Sequence, residues 1–260
     1  MPRLSKDPRP RSQQIAADLR AQIMSGDLPP RAQLPATAQI MELYGVPSSA
    51  TVQAALNILK AEGYIEGMVG KGVFVRAVQQ ETITPADFAW PAVAGQPYQW
   101  LVSEHHQHLP GSIKIREVGE VAPPAEVARA FGLSADDRVV RRSQLMFRGD
   151  QPTELVDNYY PVSIARGTVL ARRPKLNGGS PMVLAAMGLT PARFEDVVST
   201  RPPTSEEFLE LELPTEVPVL RTFRVTVTES GQPVEATVMV KAGHRYEIRY
   251  RWQASSEPEN

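Results

Sequence analysis

Hydrogen-bonding side chains cluster where a helix is predicted to begin, close to residue 49. Ser48, Ser49 and Thr51 can donate to phosphate oxygens, and the Thr51 methyl can pack on a thymine. Gln53 can hold the N6/N7 edge of an adenine. No Lys or Arg stands between Leu34 and Leu59. If this helix contacts DNA, it does so without arginine, the commonest guanine reader. Alternatively, the serines only cap the helix and the threonine is structural.

Cations suited to phosphate contacts stand on both sides of this stretch. Arg9 and Arg11 belong to a short basic arm at the N-terminus, although a merely solvated terminus explains them equally well. Lys71 lies between Gly70 and Gly72, where small residues let the backbone approach DNA and the lysine supplies a positive charge.

The elements that position these residues are three helices and a hairpin. Apolar periodicity predicts helices at 12–25, with Ser12 as N-cap, at 37–44 and at 49–62. Their buried stripes are predicted to contain Ile15, Ala16, Leu19, Ile23, Val52, Ala55, Leu56 and Leu59. Strands at 64–65 and 73–75 enclose a glycine-rich turn. This order predicts a winged helix-turn-helix, whose second helix of the turn enters the major groove.

The segments IAADLRAQIMSGDLPPRAQLP, YGVPSSATVQAALNILKAEG and GKGVFV, in that order and spacing, resemble the DNA-binding domain of the GntR family of bacterial repressors. The resemblance implies DNA contacts from Thr37 at the start of the second helix and from the third helix. Two departures stand out. Ala38 occupies a position where the family usually has arginine, and the run Pro47–Gln53 has one extra residue and lacks both arginines of the family pattern.

The rest of the chain mixes strands with short helices, which makes the whole an α+β protein. Helices are predicted at 125–131 and 205–211, strands at 112–121, 139–147, 153–161, 194–201, 219–228, 234–241 and 246–252, and a helical or irregular region at 163–190. The layout helix, strand, Gln-Pro turn, strand occurs twice. This duplication resembles the UTRA ligand-binding domain, which shares the chorismate lyase fold and defines the HutC branch of GntR regulators.

That resemblance places an effector pocket between the sheet and its covering loops. Family members often carry arginines at the positions of Gln144 and Met146, and Arg142 shares their face of the strand. Without a bidentate arginine the effector is predicted not to be a sugar phosphate, but a neutral, polar or partly apolar metabolite. The alternative is that no effector binds. The further candidates, each weighed against a structural role, are Asp157, Asn158, Tyr159, Arg201 and Glu235.

Composition limits the other possibilities. Residues 1–76 contain nine Lys or Arg against six Asp or Glu, whereas the whole chain has a net charge of −1. Cysteine is absent, which excludes disulfides and thiolate metal sites. His106 and His108 of EHHQH could bind a metal, but a polar strand is preferred. We expect no cofactor, no metal, no membrane association, and a soluble cytoplasmic protein.

The predicted organisation is a DNA-binding domain at 1–76, a linker at 77–100, an effector-binding and dimerisation domain at 101–253 and a disordered tail at 254–260. The predicted function is a homodimeric transcriptional repressor, bound to a palindromic operator on double-stranded DNA and released by a small molecule. Two alternatives stay open: an enzyme on the chorismate-lyase-like fold, and a partner-binding regulator that has lost DNA binding.

Overall fold

A computed structural model describes most of the chain and divides it into two compact units, with the boundary between Gln80 and Glu81. The described residues are 7–77, 80–85, 111–134, 136–176, 178–215 and 217–251. The histidine cluster at 104–108, the predicted linker from residue 86 onward and the tail at 254–260 lie outside them.

Three helices and a hairpin form the first unit, as predicted. They are α1 (Arg11–Ser25), α2 (Thr37–Tyr44), α3 (Ser49–Ala61), β1 (Ile65–Met68) and β2 (Gly72–Val75). All eight residues of the two predicted stripes are buried, and they pack together with Leu34, Ile40 and Tyr64. Burial of these apolar faces is the main stabilising contribution to helices this short.

The observed ends of the helices agree closely with the predicted ones, except at the start of α1. α1 begins one residue earlier than predicted, at Arg11, with Pro10 as its N-cap, so the prediction of Ser12 as the cap is wrong. Proline suits a helix start, where no N–H partner is needed. α1 stops at Gly26, whose φ of 87° is accessible to glycine at little cost. The end of α3 is tied to α1 by a bidentate pair, in which Arg20 Nε and Nη2 each lie 2.7 Å from a Glu62 carboxylate oxygen.

The second unit is built on a six-stranded antiparallel sheet. Its strands are β4 (Gly111–Val121), β5 (Val139–Arg148), β6 (Gln151–Pro161), β7 (Pro191–Arg201), β8 (Val219–Thr228) and β9 (Pro233–Ala242). They lie side by side in the order β4-β5-β6-β9-β8-β7. The helices are α4 (Ala125–Phe131), α5 (Val162–Ala165), α6 (Gly179–Ala186) and α7 (Ser205–Glu210), with a 3-10 turn at Val169–Ala171. This α+β architecture agrees with the predicted fold class.

The repeated Gln-Pro turn reflects a duplicated sheet. β4, β5 and β6 form one antiparallel half, and β7, β8 and β9 form the other, joined by pairing of β6 with β9 at the centre. Gln151 and Gln232 occupy the two turns, and the sequence separation between them equals that between Asp157 and Val238. Asp157 and Val238 are therefore equivalent positions of the two halves, and they are paired across β6 and β9. The two halves therefore meet about an approximate two-fold axis, as the sequence echo predicts.

Two segments at the edges of the predicted elements differ from expectation. Glu81–Ile83, placed by the sequence in the linker, forms β3 and pairs in parallel with β10 (Tyr246–Ile248). β10 is shorter than the predicted strand 246–252. Parallel pairing between segments so far apart in sequence leaves no local pattern, and three residues are too few to show a period.

Candidate DNA interface and effector cavity

The start of α3 presents polar side chains to solvent. Ser48 caps the helix, because its hydroxyl accepts from the Ala50 N–H at 3.2 Å, and Ser49 is exposed beside it. Thr51 is half-buried. Gln53 is exposed and donates to Asn57 Oδ1 at 3.0 Å. Ser48 therefore acts as the N-cap of α3. Gln53 and Asn57 form an exposed amide pair on one face of the helix.

Asn57 is absent from the sequence-based candidates and belongs with Gln53. Residues four apart lie on one face of a helix, and both amides can pair with adenine. This spacing was visible in the sequence. Thr37, by contrast, is half-buried at the first position of α2, where Gln39 Oε1 accepts from the Ala36 N–H at 2.8 Å.

The cations of the arm are held by neighbouring residues. Arg9 forms an ion pair with Asp7, with Nη2 2.6 Å from Oδ2, and this contact lowers the pKa of the Asp7 carboxyl. Arg11 donates to Gln14 Oε1 at 3.1 Å. Gln14 in turn donates to the carbonyls of Asp7 and Arg9, which fixes the arm against α1. Both arginines remain mostly exposed, so the arm has a defined shape without being buried.

The tip of the hairpin is exposed and depends on two glycines. Gly70 and Gly72 have φ values of 72° and 118°, in a backbone region that residues with a side chain rarely adopt. A Cβ at Gly72 would also lie 2.7 Å from Gln33 Nε2, which donates to the Lys71 carbonyl at 2.8 Å. Lys71 is exposed between them, and the neighbouring Val69 is fully exposed. These glycines therefore shape the tip that carries the lysine.

A cavity of about 770 Å³ lies in the second unit, on one face of the sheet. All six strands contribute to it, together with β3, β10 and the segment leading into α6. The residues from the sheet include Ile113, Gln144, Met146, Glu154, Val156, Asn158, Tyr160, Phe194, Asp196, Thr222, Arg224, Thr226, Glu235, Thr237, Met239 and Lys241. The volume and the mixture of apolar and polar groups suit a small organic ligand.

A chain of hydrogen bonds crosses the cavity wall. Gln144 Nε2 donates to Asn158 Oδ1 at 2.7 Å, and Asn158 Nδ2 donates to Glu235 Oε1 at 2.9 Å and to Thr237 Oγ1 at 3.1 Å. Tyr160 Oη donates to Glu235 Oε1 at 2.7 Å. Burial raises the pKa of the Glu235 carboxyl, although these donors oppose the shift. Four residues on three strands are thus oriented around one carboxylate.

Two ion pairs neutralise other charges in the wall. Lys241 Nζ lies 2.5 Å from Glu154 Oε1, and both side chains are almost fully buried. Arg224 forms a bidentate pair with Asp196, with distances of 2.6 and 2.7 Å. Because both cations are bound by carboxylates on adjacent strands, neither is free to act as an anion clamp.

The cavity includes four of the eight effector-binding candidates: Gln144, Met146, Asn158 and Glu235. Asp157 and Tyr159 point to the other face of the sheet, where Tyr159 packs with Val127 of α4. Arg201 does not line the cavity and is paired with Glu207. The sequence left open which face of β6 lines the pocket, and the structure places Asp157, Tyr159 and Arg201, all candidates from the sequence analysis, outside the cavity.

Arg142 lies on the expected side of the sheet, but its guanidinium does not line the cavity. It is 1% exposed and donates to the carbonyls of Leu170 at 3.1 Å and Pro174 at 2.9 Å, and also to those of Val169 and Arg172. Alternation along a strand gives the face of a residue but not the reach of a long side chain. Arg142 is therefore a support for the 169–174 segment, contrary to the prediction that it contacts the effector.

Glu81, which the sequence analysis assigned to the linker, lies in the cavity wall. Burial raises the pKa of its carboxyl to about 7, opposed by the charges of Arg148 and Lys241. Its backbone N–H donates to the Arg245 carbonyl at 2.7 Å, which fixes β3 beside β10. This carboxyl therefore titrates near neutral pH on the first strand of the second unit.

We expect the pH dependence of stability to change in Glu81→Gln. A carboxyl whose folded pKa is raised binds more protons folded than unfolded, so its contribution to stability is present below pH 4.5 and is lost as the pH rises through about 7. The variant should gain stability relative to the wild type as the pH rises from 5 to 8. Urea unfolding across that range checks this, and parallel curves for the two proteins would contradict it.

The first unit has the architecture of a winged helix-turn-helix, and the second has the cavity of a ligand-binding domain. Together they define a DNA-binding transcriptional regulator. Residues 11–75 match the model of the bacterial regulatory proteins of the gntR family, and residues 106–247 match that of the UTRA domain. The chain belongs to the GntR family, in the form that carries a UTRA domain, as the HutC branch does.

The similarity extends along whole proteins. An HTH-type transcriptional regulator of Streptomyces coelicolor is 27% identical over 93% of this chain and 92% of its own length. The HTH-type transcriptional repressor NagR of Bacillus subtilis is 24% identical over 93% and 94%. The solved structure of PhnF from Mycobacterium smegmatis superposes with a TM-score of 0.58 at 17% identity, covering 93% of this chain and all of its own. In the described part of the chain no helix is long and apolar enough to cross a membrane.

Proposed function

We propose that this protein is a homodimeric repressor that binds a palindromic operator and leaves it when a small molecule occupies the cavity of the second unit. The observation that carries the proposal is this cavity of about 770 Å³ in a chain whose first unit is a winged helix-turn-helix. The name of the relative NagR, a transcriptional repressor, supports the direction of control. Two copies would place two α3 helices on the half-sites of a palindrome.

The proposed reading of DNA differs from an arginine-based one. Gln53 and Asn57 would contact adenines in the major groove from α3, while Thr51 and Ser49 would contact phosphates at its start. Arg9, Arg11 and Lys71 would supply the charge that releases counterions. Thr37 and Ser48 would contribute less, since the first is half-buried and the second caps α3. An A·T-rich half-site follows from this arrangement.

For control by a ligand, the cavity must distinguish two states of the dimer. A ligand that favours the geometry unable to span two half-sites lowers operator affinity by its differential binding, which is typically about 1–3 kcal/mol. The named regulators among the relatives favour this role over an enzyme on the same fold.

Fluorescence anisotropy on the DNA upstream of its own gene, against random DNA and at two salt concentrations, tests the proposal. We expect Gln53→Ala to cost about 1–3 kcal/mol on the operator and little on random DNA, because it removes a base contact. Lys71→Ala should weaken binding to all sequences and reduce the salt slope by about 1. Gln151→Ala and Lys114→Ala, exposed in the second unit, are the matched controls.

Several results would count against this proposal. Affinity no higher for the upstream DNA, or for a genomic pool, than for random DNA would remove the operator. A monomer in sedimentation equilibrium, alone and on DNA, would remove the dimer and the palindrome. Equal losses in Gln53→Ala and in its control would exclude Gln53 as the base reader.

A further inference from the structure

The wall of the effector cavity has an unusual distribution of charge. Among the described residues that line it are four carboxylates and three cations, and the pairs Glu154–Lys241 and Asp196–Arg224 cancel two of each. The third cation, Lys175, is exposed to solvent. An anion binding at the buried part of this cavity would therefore meet cations that are already paired, and only the solvent-exposed Lys175 is outside these two pairs.

Glu235 is the carboxylate around which the cavity is organised. It is 5% exposed, and within the described residues it makes no ion pair. Its hydrogen-bond donors are all neutral: the Tyr160 hydroxyl, the Asn158 amide and the Ser180 hydroxyl at the start of α6, and the charge of Arg224 makes a smaller contribution. Burial disfavours the ionised form of Glu235, and Arg224 is already paired with Asp196, so a bound cation would supply the opposite charge and favour ionisation.

Thr226 gives a second and independent indication of a ligand. It is the cross-strand neighbour of Glu235, lines the same cavity and is 1% exposed. Its hydroxyl oxygen has no hydrogen-bond partner among the described residues. A buried hydroxyl without a partner is uncommon, and one beside a carboxylate can accept a second hydrogen bond from the same donor group.

Five apolar side chains also line the cavity. Met146, Val156, Phe194 and Met239 line it from the sheet, and Met182 lines it from α6. These side chains can bury a hydrocarbon or aromatic body.

Resting on the proposed function of the cavity as the effector site, we propose that its ligand is a small organic cation. An amine or amidine group binds Glu235 and Thr226, and an apolar body lies against the methionines and Phe194. The inference replaces the neutral metabolite expected from the sequence by a cation, extends the exclusion of sugar phosphates to anions in general, and assigns Glu235 as the residue that determines charge specificity.

Three probes of equal size and different charge test this on the full chain by calorimetry: phenethylamine, 2-phenylethanol and phenylacetate, with inorganic phosphate as a further anion. We expect phenethylamine to bind about tenfold or more tightly than phenylacetate, because it gains a charge-assisted hydrogen bond where the anion meets repulsion. Glu235→Gln should remove most of that preference and leave 2-phenylethanol binding nearly unchanged. Glu195→Gln, exposed on β7, is the matched control.

Thr226→Val keeps the inference testable if Glu235→Gln folds poorly. It removes a hydroxyl that has no hydrogen-bond partner within the described part of the chain, so folding should be unaffected while phenethylamine affinity falls severalfold. Phenylacetate or phosphate binding as tightly as phenethylamine overturns the inference, and so does the absence of phenethylamine binding to the wild type. Retention of the full preference in Glu235→Gln overturns it as well.

Anisotropy of the operator complex with the same probes separates this inference from the proposed function. Binding of phenethylamine through Glu235 with no change in operator affinity supports the ligand class and contradicts the regulatory role of the cavity. Release of the operator by phenylacetate supports regulation and contradicts the ligand class.

Discussion

Lys241→Met is expected to lower the free energy of unfolding of the second unit by about 3–5 kcal/mol, because it leaves the buried Glu154 carboxylate without its partner. Glu154 and Lys241 are cross-strand partners on β6 and β9, the two central strands of the sheet. Their side chains are 3% and 8% exposed. Removing a single ion from such a pair costs more than the pair itself contributes, since the remaining charge has lost most of its water.

The double variant Glu154→Leu/Lys241→Met distinguishes this mechanism from simple loss of packing. Replacing both partners by apolar groups removes the charges together, so we expect its stability to return most of the way to the wild-type value. Arg249→Met is the matched control, because Arg249 and Glu247 are 50% and 44% exposed and such pairs contribute about 0–1 kcal/mol. Urea unfolding followed by circular dichroism measures all three. A loss in Lys241→Met no larger than in Arg249→Met would contradict the expectation.

The first unit could be predicted almost entirely from its sequence. Its information is local: α1, α3 and their stripes follow from a 3.6-residue period, and Gly26, Gly45 and Gly63 mark where the helices end. The N-cap of α1 was misplaced because Ser12 is a common cap and Pro10 a less obvious one. Asn57 was not predicted, although it lies four residues from Gln53, because it follows the N-terminal part of α3 from which the family resemblance implies DNA contacts.

The strands that carry the cavity residues could be predicted from the sequence, but the set of side chains that come together in the cavity could not. Alternation indicates which residues share a face with Gln144, Asn158 and Glu235 within each strand. Only the strand order shows that these three residues are neighbours on one face of the sheet. That order depends on pairing between distant halves of the chain. The role of Glu81 could not be read from the sequence, because it depends on β10, which lies far away in the chain. The contacts of the Arg142 guanidinium with the 169–174 segment could not be predicted from the sequence either.

Replacing Arg142 by Met is expected to lower the stability of the second unit by about 3 kcal/mol or more, because four backbone carbonyls lose one charged donor. These carbonyls belong to Val169, Leu170, Arg172 and Pro174. Lys175 and Leu176, which follow them directly, line the cavity. Loss of the guanidinium should therefore loosen one wall of the cavity and weaken phenethylamine binding. Hydrogen exchange of the amides at 169–176 should speed up in parallel.

The conservative variant decides whether Arg142 supports the cavity or contacts the ligand. Arg142→Lys keeps the charge but not the planar fork, so one ammonium cannot serve carbonyls spread over six residues, and we expect it to resemble Arg142→Met. Arg141→Met is the control, since its guanidinium pairs with the exposed Glu117. A contact residue would behave differently: Arg142→Met would leave hydrogen exchange unchanged and shift the preference among the charged probes. Equal losses for phenethylamine and 2-phenylethanol, together with faster exchange, would establish Arg142 as a positioning residue of the cavity.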